Sequence, residues 1–303
     1  MNKIFEEISK LSTEQINQNT TEIDVLPVED CLKLINEEDK VVAFKVETFI
    51  PKIKIATNFV INAFKNGGRL IYIGAGTSGR LGVLDAVECP PTFGANPEMV
   101  KGIMAGGNQA MFLAQEGAED SKQLAREDLI NEKINKNDVV CGLAASGRTP
   151  YVIGGLDYAK STGCKTILIS TSEIFDKNIQ ADVLINPILG PEAIMGSTRM
   201  KSGTAQKMIL NMITTVAFVK LGKTYNNIMV DLQMTNQKLK ERAKKTIITV
   251  CEVDYHTAEQ FLKKADNHVK TAIMMLLANV SKEKAKSMLE LSDNKIKTAL
   301  RSN

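Results

Sequence analysis

Leu70-Ile71-Tyr72-Ile73-Gly74-Ala75-Gly76-Thr77-Ser78-Gly79-Arg80 is the stretch that decides the fold: four apolar residues of strand type run into a glycine-rich turn carrying two hydroxyls. The glycines let the backbone approach a ligand closely. The helix expected next offers its first N–H groups and the positive end of its dipole to an anion. A second stretch repeats the arrangement. Val139-Val140-Cys141-Gly142-Leu143 leads into Ala144-Ala145-Ser146-Gly147-Arg148-Thr149-Pro150, with Pro150 suited to the first turn of another helix. Each turn alone also reads as a plain tight turn, but two of this kind could together hold one monophosphate.

Working outward, β-rich runs recur at 70–73, 99–104, 139–143, 165–169 and 183–185, separated by segments of helical pattern. That alternation predicts an α/β fold with a mostly parallel sheet covered by helices on both faces. Residues 1–50 read as a helical lead-in, with Pro51 forcing a break between two helices. The main domain is expected over 51–236, its last long helix running from about Met200 to Leu221. After Asn236 the strand signal disappears, and 237–303 reads as a small all-α domain of short helices, with Ser281 and Asp293 as N-caps.

Gly74, Gly76 and Gly79 also satisfy GxGxxG, the dinucleotide pattern. A dinucleotide site needs an acid at the end of the second strand to hold the ribose. Here that strand ends in Met104-Ala105-Gly106-Gly107, without a carboxylate.

The composition is that of an ordinary globular protein, 44% hydrophobic and 24% charged over 303 residues. The N-terminus turns acidic at Glu6-Glu7 before any apolar run develops, which argues against a secretory signal. No stretch approaches the ~18 apolar residues of a membrane span. Five cysteines without a CxxC pair fit a reducing cytoplasm. Residues 237–303 carry 14 Lys+Arg against 8 Asp+Glu, but without interleaved aromatic residues these lysines read as a solvated face rather than a nucleic-acid surface.

The only histidines, His256 and His268, lie in the C-terminal helices. Proton transfer at the edge of the sheet therefore falls mainly to carboxylates. Two stand out by position: Glu88, just before Pro90 and Pro91, which are expected to stop its helix, and Glu119, with Glu116 and Asp120 as close competitors.

At this point the chain resembles a known family. GAGTSGRLGVLDAVECPPTFG at 74–94, AGG at 105–107, EGAED at 116–120, AASGRTPYV at 144–152 and GSTRMKSGTAQK at 196–207 are similar to the signatures of N-acetylmuramic acid 6-phosphate etherases. The resemblance covers nearly the whole chain, including INEED at 35–39 and a tail similar to the family's ubiquitin-associated-like module. It implies a three-layer sugar isomerase (SIS) fold, a cytoplasmic homodimer with no metal or cofactor, and cleavage of N-acetylmuramic acid 6-phosphate to N-acetylglucosamine 6-phosphate and D-lactate. It further implies Glu88 as proton donor, Glu119 as the second catalytic glutamate, and Thr77, Ser78, Ser146, Gly147 and Thr149 at the phosphate. Arg199 and Lys201 are candidates for substrate contact. Val87 and Ser202 depart from the pattern, standing where Ser and Ala are usual. A sugar-phosphate-binding regulator resembling the glucokinase regulatory protein is the alternative, and an aldose–ketose isomerase a third reading.

Overall fold

The computed structural model describes residues 9–115, 117–174, 179–232, 234 and 236–302. Its chain divides into two compact units, one holding the residues up to Ala86 with Glu98–Thr214, the other Val87–Pro97 with Thr215–Asn303.

In the first unit, helices α1 (Val28–Glu47) and α2 (Ile50–Lys65) precede strand β1 (Leu70–Gly74). The break between them falls at Thr48–Phe49, and Pro51 sits in the first turn of α2, where its missing N–H costs nothing. Helix α3 (Gly76–Phe93) leads on to β2 (Val100–Met104), then α4 (Lys122–Asn131), β3 (Val139–Leu143), α5 (Pro150–Ser161), β4 (Lys165–Ile169), β5 (Val183–Ile185) and α6 (Lys201–Lys220). The five strands are parallel throughout, in the order β2-β1-β3-β4-β5.

The central strands β1 and β3 are buried along their whole length, as a sheet covered on both faces requires. Alternate residues go to opposite layers. Ile71, Ile73, Val140 and Leu168 join a core with Ala125 and Leu129 of α4 and with Tyr151, Val152 and Leu156 of α5. Gly155 makes room for that layer, since a Cβ there would stand 2.3 Å from Cδ1 of Ile73. On the other face Tyr72 meets α3 at Gly82, where a Cβ would stand 2.9 Å from the Tyr72 Cβ.

Helix α3 does not stop at its prolines. It continues through Pro90 and Pro91 to Phe93, correcting the expected boundary. Proline removes the hydrogen bond to the carbonyl four residues back but can still occupy a final turn. Gly94, at φ +59°, supplies the termination: its N–H donates to Pro90 O at 2.9 Å.

The second unit contains a two-stranded antiparallel ladder, β6 (Thr224–Tyr225) and β7 (Ile228–Met229), and helices α7 (Gln237–Cys251), α8 (Tyr255–Lys264), α9 (Val269–Ala278), α10 (Lys282–Glu290) and α11 (Ile296–Arg301). Their apolar faces share a core built on Ile247, Leu262, Ile273, Met274, Met288 and Ile296. Side chains of Asn236, Asp254, His268 and Ser281 cap successive helices. Asp293 is not a cap: it turns the chain at φ +52°, and Lys295 occupies the N-cap position of α11.

One buried acid ties α3 to its neighbours. Asp85 accepts from Tyr72 Oη at 2.8 Å and from Thr214 Oγ1 of α6 at 3.1 Å. Burial pushes its carboxyl above the ordinary carboxylate range, against the opposing pull of those two hydrogen bonds. The folded state thus holds this proton more tightly than the unfolded chain. The stability this contributes is full below the ordinary carboxylate value and is lost as pH rises through the raised one. Asp85→Asn is expected to match or exceed the parent at pH 7 by up to about 1 kcal/mol, a margin that vanishes toward pH 4. Asp85→Ala should lose roughly 1–3 kcal/mol at both pH values, because the Tyr72 and Thr214 hydroxyls lose the carboxyl that accepts from them. Urea unfolding at the two pH values measures both.

Candidate active site

The chain leaves β1 for β2 on one side and returns to β3 on the other, so the turns after β1 and β3 diverge at the carboxyl edge of the sheet. A crevice is expected at such a switch point. A cleft of about 510 Å³ is found there. Ala75, Thr77 and Ser78 line it from the first turn, and Ala144, Ala145, Ser146, Arg148, Thr149 and Pro150 from the second.

Each turn ends in a helix whose first N–H groups lack intrahelical partners. Thr77 and Ser78 stand in the first turn of α3. Thr149 is the N-cap of α5, yet its side chain makes no capping bond. Gly74 brings turn and helix together, because a Cβ there would lie 2.9 Å from the Gly79 nitrogen. The cleft thus combines two helix N-termini with four hydroxyl groups, a setting that favours an anion.

Glu119 lines the same cleft from a short 3-10 turn, Ala118–Asp120, introduced by Gly117 at φ +77°. Ser121 next caps α4, accepting from Leu124 N at 3.1 Å. The position of this turn is fixed from below. Gly154 of α5 lies against the start of α4, and a Cβ there would stand 2.5 Å from the backbone oxygen of Lys122.

The wall opposite the two turns comes from residues distant in sequence. Leu11, Thr13 and Glu14 line it, together with Gly196 and Thr198. Gly196 N donates to Thr13 O at 3.0 Å, joining the two segments, while Ser12 reaches Ser172 Oγ at 3.3 Å. Behind them Lys201 Nζ forms a buried pair with Glu38 Oε2 of α1 at 2.6 Å, and Asn17 Nδ2 donates to the same carboxylate at 2.7 Å. Glu192, also buried, accepts the N–H groups of Lys201 and Ser202 at 2.9 Å each, capping α6.

Curated relatives match almost end to end. An N-acetylmuramic acid 6-phosphate etherase of Clostridioides difficile (strain 630) is 51% identical over 99% of this chain and 98% of its own. Another, from Salinibacter ruber (strain DSM 13855 / M31), is 51% identical over 94% and 92%. The chain belongs to the N-acetylmuramic acid 6-phosphate etherase family. The family model for the glucokinase regulatory protein N-terminal SIS domain matches residues 52–160 of this etherase-family chain. A solved phosphoheptose isomerase from Neisseria gonorrhoeae is similar at 13% identity, over 63% of this chain and 98% of that one, with a TM-score of 0.44.

Of the residues expected at the site of an etherase, Thr77, Ser78, Ser146, Thr149 and Glu119 are brought together on one cleft. Gly147 is not a lining residue. It is buried at φ +71° and its N–H is spent on Ala144 O at 2.9 Å, so it shapes the turn. Glu88 is exposed in the stretch of α3 that belongs to the second unit. Asp120 lines the cleft beside Glu119, and Glu116 lies outside the described residues. Arg199 is exposed and Lys201 is engaged with Glu38, whereas their neighbours Gly196 and Thr198 face the cleft. Sequence reading passed over Leu11, Thr13 and Glu14 because no spacing pattern links an N-terminal segment to turns more than sixty residues away. The signal that could have found them is polar residues in a stretch otherwise read as helical lead-in.

Thr13 is unusual among them. It is only 1% exposed, and its hydroxyl finds no hydrogen-bond partner among the described residues. Leaving a buried hydroxyl unmatched costs roughly 1–3 kcal/mol. Thr13→Val, equal in shape, should therefore unfold at an equal or higher urea concentration when no ligand is present. A lower midpoint would mean that the hydroxyl already has a partner.

Proposed function

We propose that this chain cleaves the D-lactyl ether of N-acetylmuramic acid 6-phosphate, giving N-acetylglucosamine 6-phosphate and D-lactate in the recycling of peptidoglycan sugars in the cytoplasm. The observation that carries the reading is the cleft itself, where two hydroxyl-bearing helix N-termini face a carboxylate, in a chain half identical to named etherases along nearly its whole length. Among the described residues no helix is long and apolar enough to cross a membrane, which is compatible with that location.

An alkoxide is a poor leaving group, so simple hydrolysis of an ether is slow at neutral pH. Elimination avoids the difficulty. In the open-chain sugar the lactyl oxygen on C3 is β to the aldehyde, which makes the C2 proton acidic. Glu119 takes that proton, the electron pair forms the C2–C3 double bond, and the C3–O bond breaks. Glu88 protonates the departing lactate oxygen. Water then adds at C3, and a proton returns to C2. Each well-placed acid or base contributes roughly 10²–10⁴-fold.

Thr77, Ser78, Ser146 and Thr149 would hold the 6-phosphate, with Gly147 setting the shape of the second turn. A regulator that only binds sugar phosphates would use the same cleft, and the match to the glucokinase regulatory protein domain gives that reading some footing. Lactate release separates the two, and an aldose–ketose isomerase would yield a ketose without lactate.

The roles of the glutamates can be separated in heavy water. Glu88→Gln should still exchange the C2 hydrogen while releasing little lactate, and Glu119→Gln should do neither. The reverse pattern, read by NMR and a lactate assay, would exchange the two assignments. Normal lactate release by both variants would remove the two-carboxylate mechanism.

The active form is proposed to be a homodimer. Its support comes from helices α1 and α2 rather than from α6, where Ile209, Leu210, Ile213 and Phe218 are buried within the chain. There Val28, Leu32, Phe44, Ile50 and Ile55 are exposed, and Val28 is 77% accessible. Soluble monomers seldom leave large contiguous apolar patches uncovered. Light scattering should give about twice 33.2 kDa, and Leu32→Glu combined with Phe44→Glu should give a monomer of reduced activity. A fully active monomeric parent would contradict this.

A further inference from the structure

Glu119 borders two cavities. One is the cleft already described; the other is a side pocket of about 210 Å³, and Ala75 and Glu119 line both. The remaining walls of the side pocket are mostly short and apolar, with Gly76, Ala105, Ala110, Ala114 and Met104, while Arg80 and Gln115 bring polar groups to the lining.

Two features indicate that the pocket is a built one. Arg80, in the second turn of α3, spends its Nη2 on Ala110 O at 2.7 Å and its Nε on Met111 O at 3.0 Å. Its guanidinium therefore fastens the loop that forms the far wall. Gly106, at φ +87°, accommodates Gln115, for a Cβ there would fall 2.8 Å from the Gln115 Cβ and 3.2 Å from that of Ala110. Only glycine adopts this backbone freely and also leaves that space open.

We infer that this side pocket receives the 2-acylamino group of the sugar. The inference rests on the reading that Glu119 acts on a C2 proton. The carbon that loses the proton also bears the nitrogen substituent, so a base on the wall shared by the two cavities brings that substituent toward the side pocket. An acetamido group suits the lining: its methyl meets alanine side chains and its amide can pair with the Gln115 side chain. A 2-hydroxy sugar would leave the alanines uncovered and the amide facing water. A single methylene-sized group in an apolar pocket already gives about 10–200-fold selectivity. The pocket is thus a specificity determinant, separate from the phosphate turns.

The test compares N-acetylglucosamine 6-phosphate with glucose 6-phosphate by titration calorimetry, using the full chain. The parent is expected to bind the acetamido sugar at least tenfold more tightly. Ala110→Leu, which fills the pocket, should bring the ratio of the two dissociation constants close to one while changing that of glucose 6-phosphate by less than about threefold. Ala110 is buried and its replacement could disturb the loop. Ala114→Leu, at an exposed position on the same wall, provides the second measurement and should reduce the ratio as well. A parent without preference, or an unchanged ratio in Ala114→Leu, overturns the inference. If the selectivity pattern holds but the parent releases no lactate from N-acetylmuramic acid 6-phosphate, the pocket assignment stands and the proposed reaction fails.

Discussion

The spacing between the second turn and Glu119 at the carboxyl edge of the sheet depends on how closely helix α5 can lie against the backbone of Lys122. At Gly154 the nearest atoms to an added Cβ are the oxygen and Cα of Lys122, at 2.5 and 2.6 Å, and backbone atoms cannot swing aside. At the next residue, Gly155, an added Cβ would instead meet the end of a side chain, Cδ1 of Ile73, at 2.3 Å. Two adjacent glycines thus seat the helix on its sheet and on its neighbour at once. One end of that helix carries Thr149, and three residues before Lys122 stands Glu119. The packing distance of two helices therefore becomes the distance between a hydroxyl-bearing turn and a carboxylate. Reactions that need a phosphate held while a carbon is deprotonated depend on such fixed separations.

The arrangement also explains how a site without histidine can be assembled. The two turns supply donors and positive dipole ends, whereas the acid side chain comes from a short turn held between glycine and a helix cap. Parallel strands in the order 2-1-3-4-5 place these elements at one edge without further device. The opposite wall has a different origin, being closed by the N-terminal segment and by the loop before α6.

Much of this was legible in the sequence because it is local. The alternation of β-rich runs with helical segments marked the five-stranded parallel sheet, and the strand-to-glycine-turn pattern at 70–80 with its repeat at 139–150 marked the hydroxyl groups of the cleft. What escaped was non-local or was a matter of which rule dominates. Pro90 and Pro91 read as a stop, yet a helix can complete its last turn through prolines when a left-handed glycine follows. Lys201 read as a substrate contact because cations near a phosphate site invite that reading. Its actual partner, Glu38, is 163 residues away and no periodicity connects them. Thr13 was hidden for the same reason. Gly147 was placed correctly at the turn, but its backbone donor is used within it.

The Lys201–Glu38 pair has one more effect. Its side chains are only 3% and 12% exposed, so dissolved ions have little access to the space between them. Charges in contact with water are screened over about 8 Å at physiological ionic strength, and buried ones far less. The cleft is open and its helix ends face solvent, so attraction for a phosphate there weakens as salt is added. The far wall is braced by a pair that salt barely reaches. A cell whose ionic strength fluctuates would then alter how tightly this site holds its ligand while leaving the shape of the site unchanged.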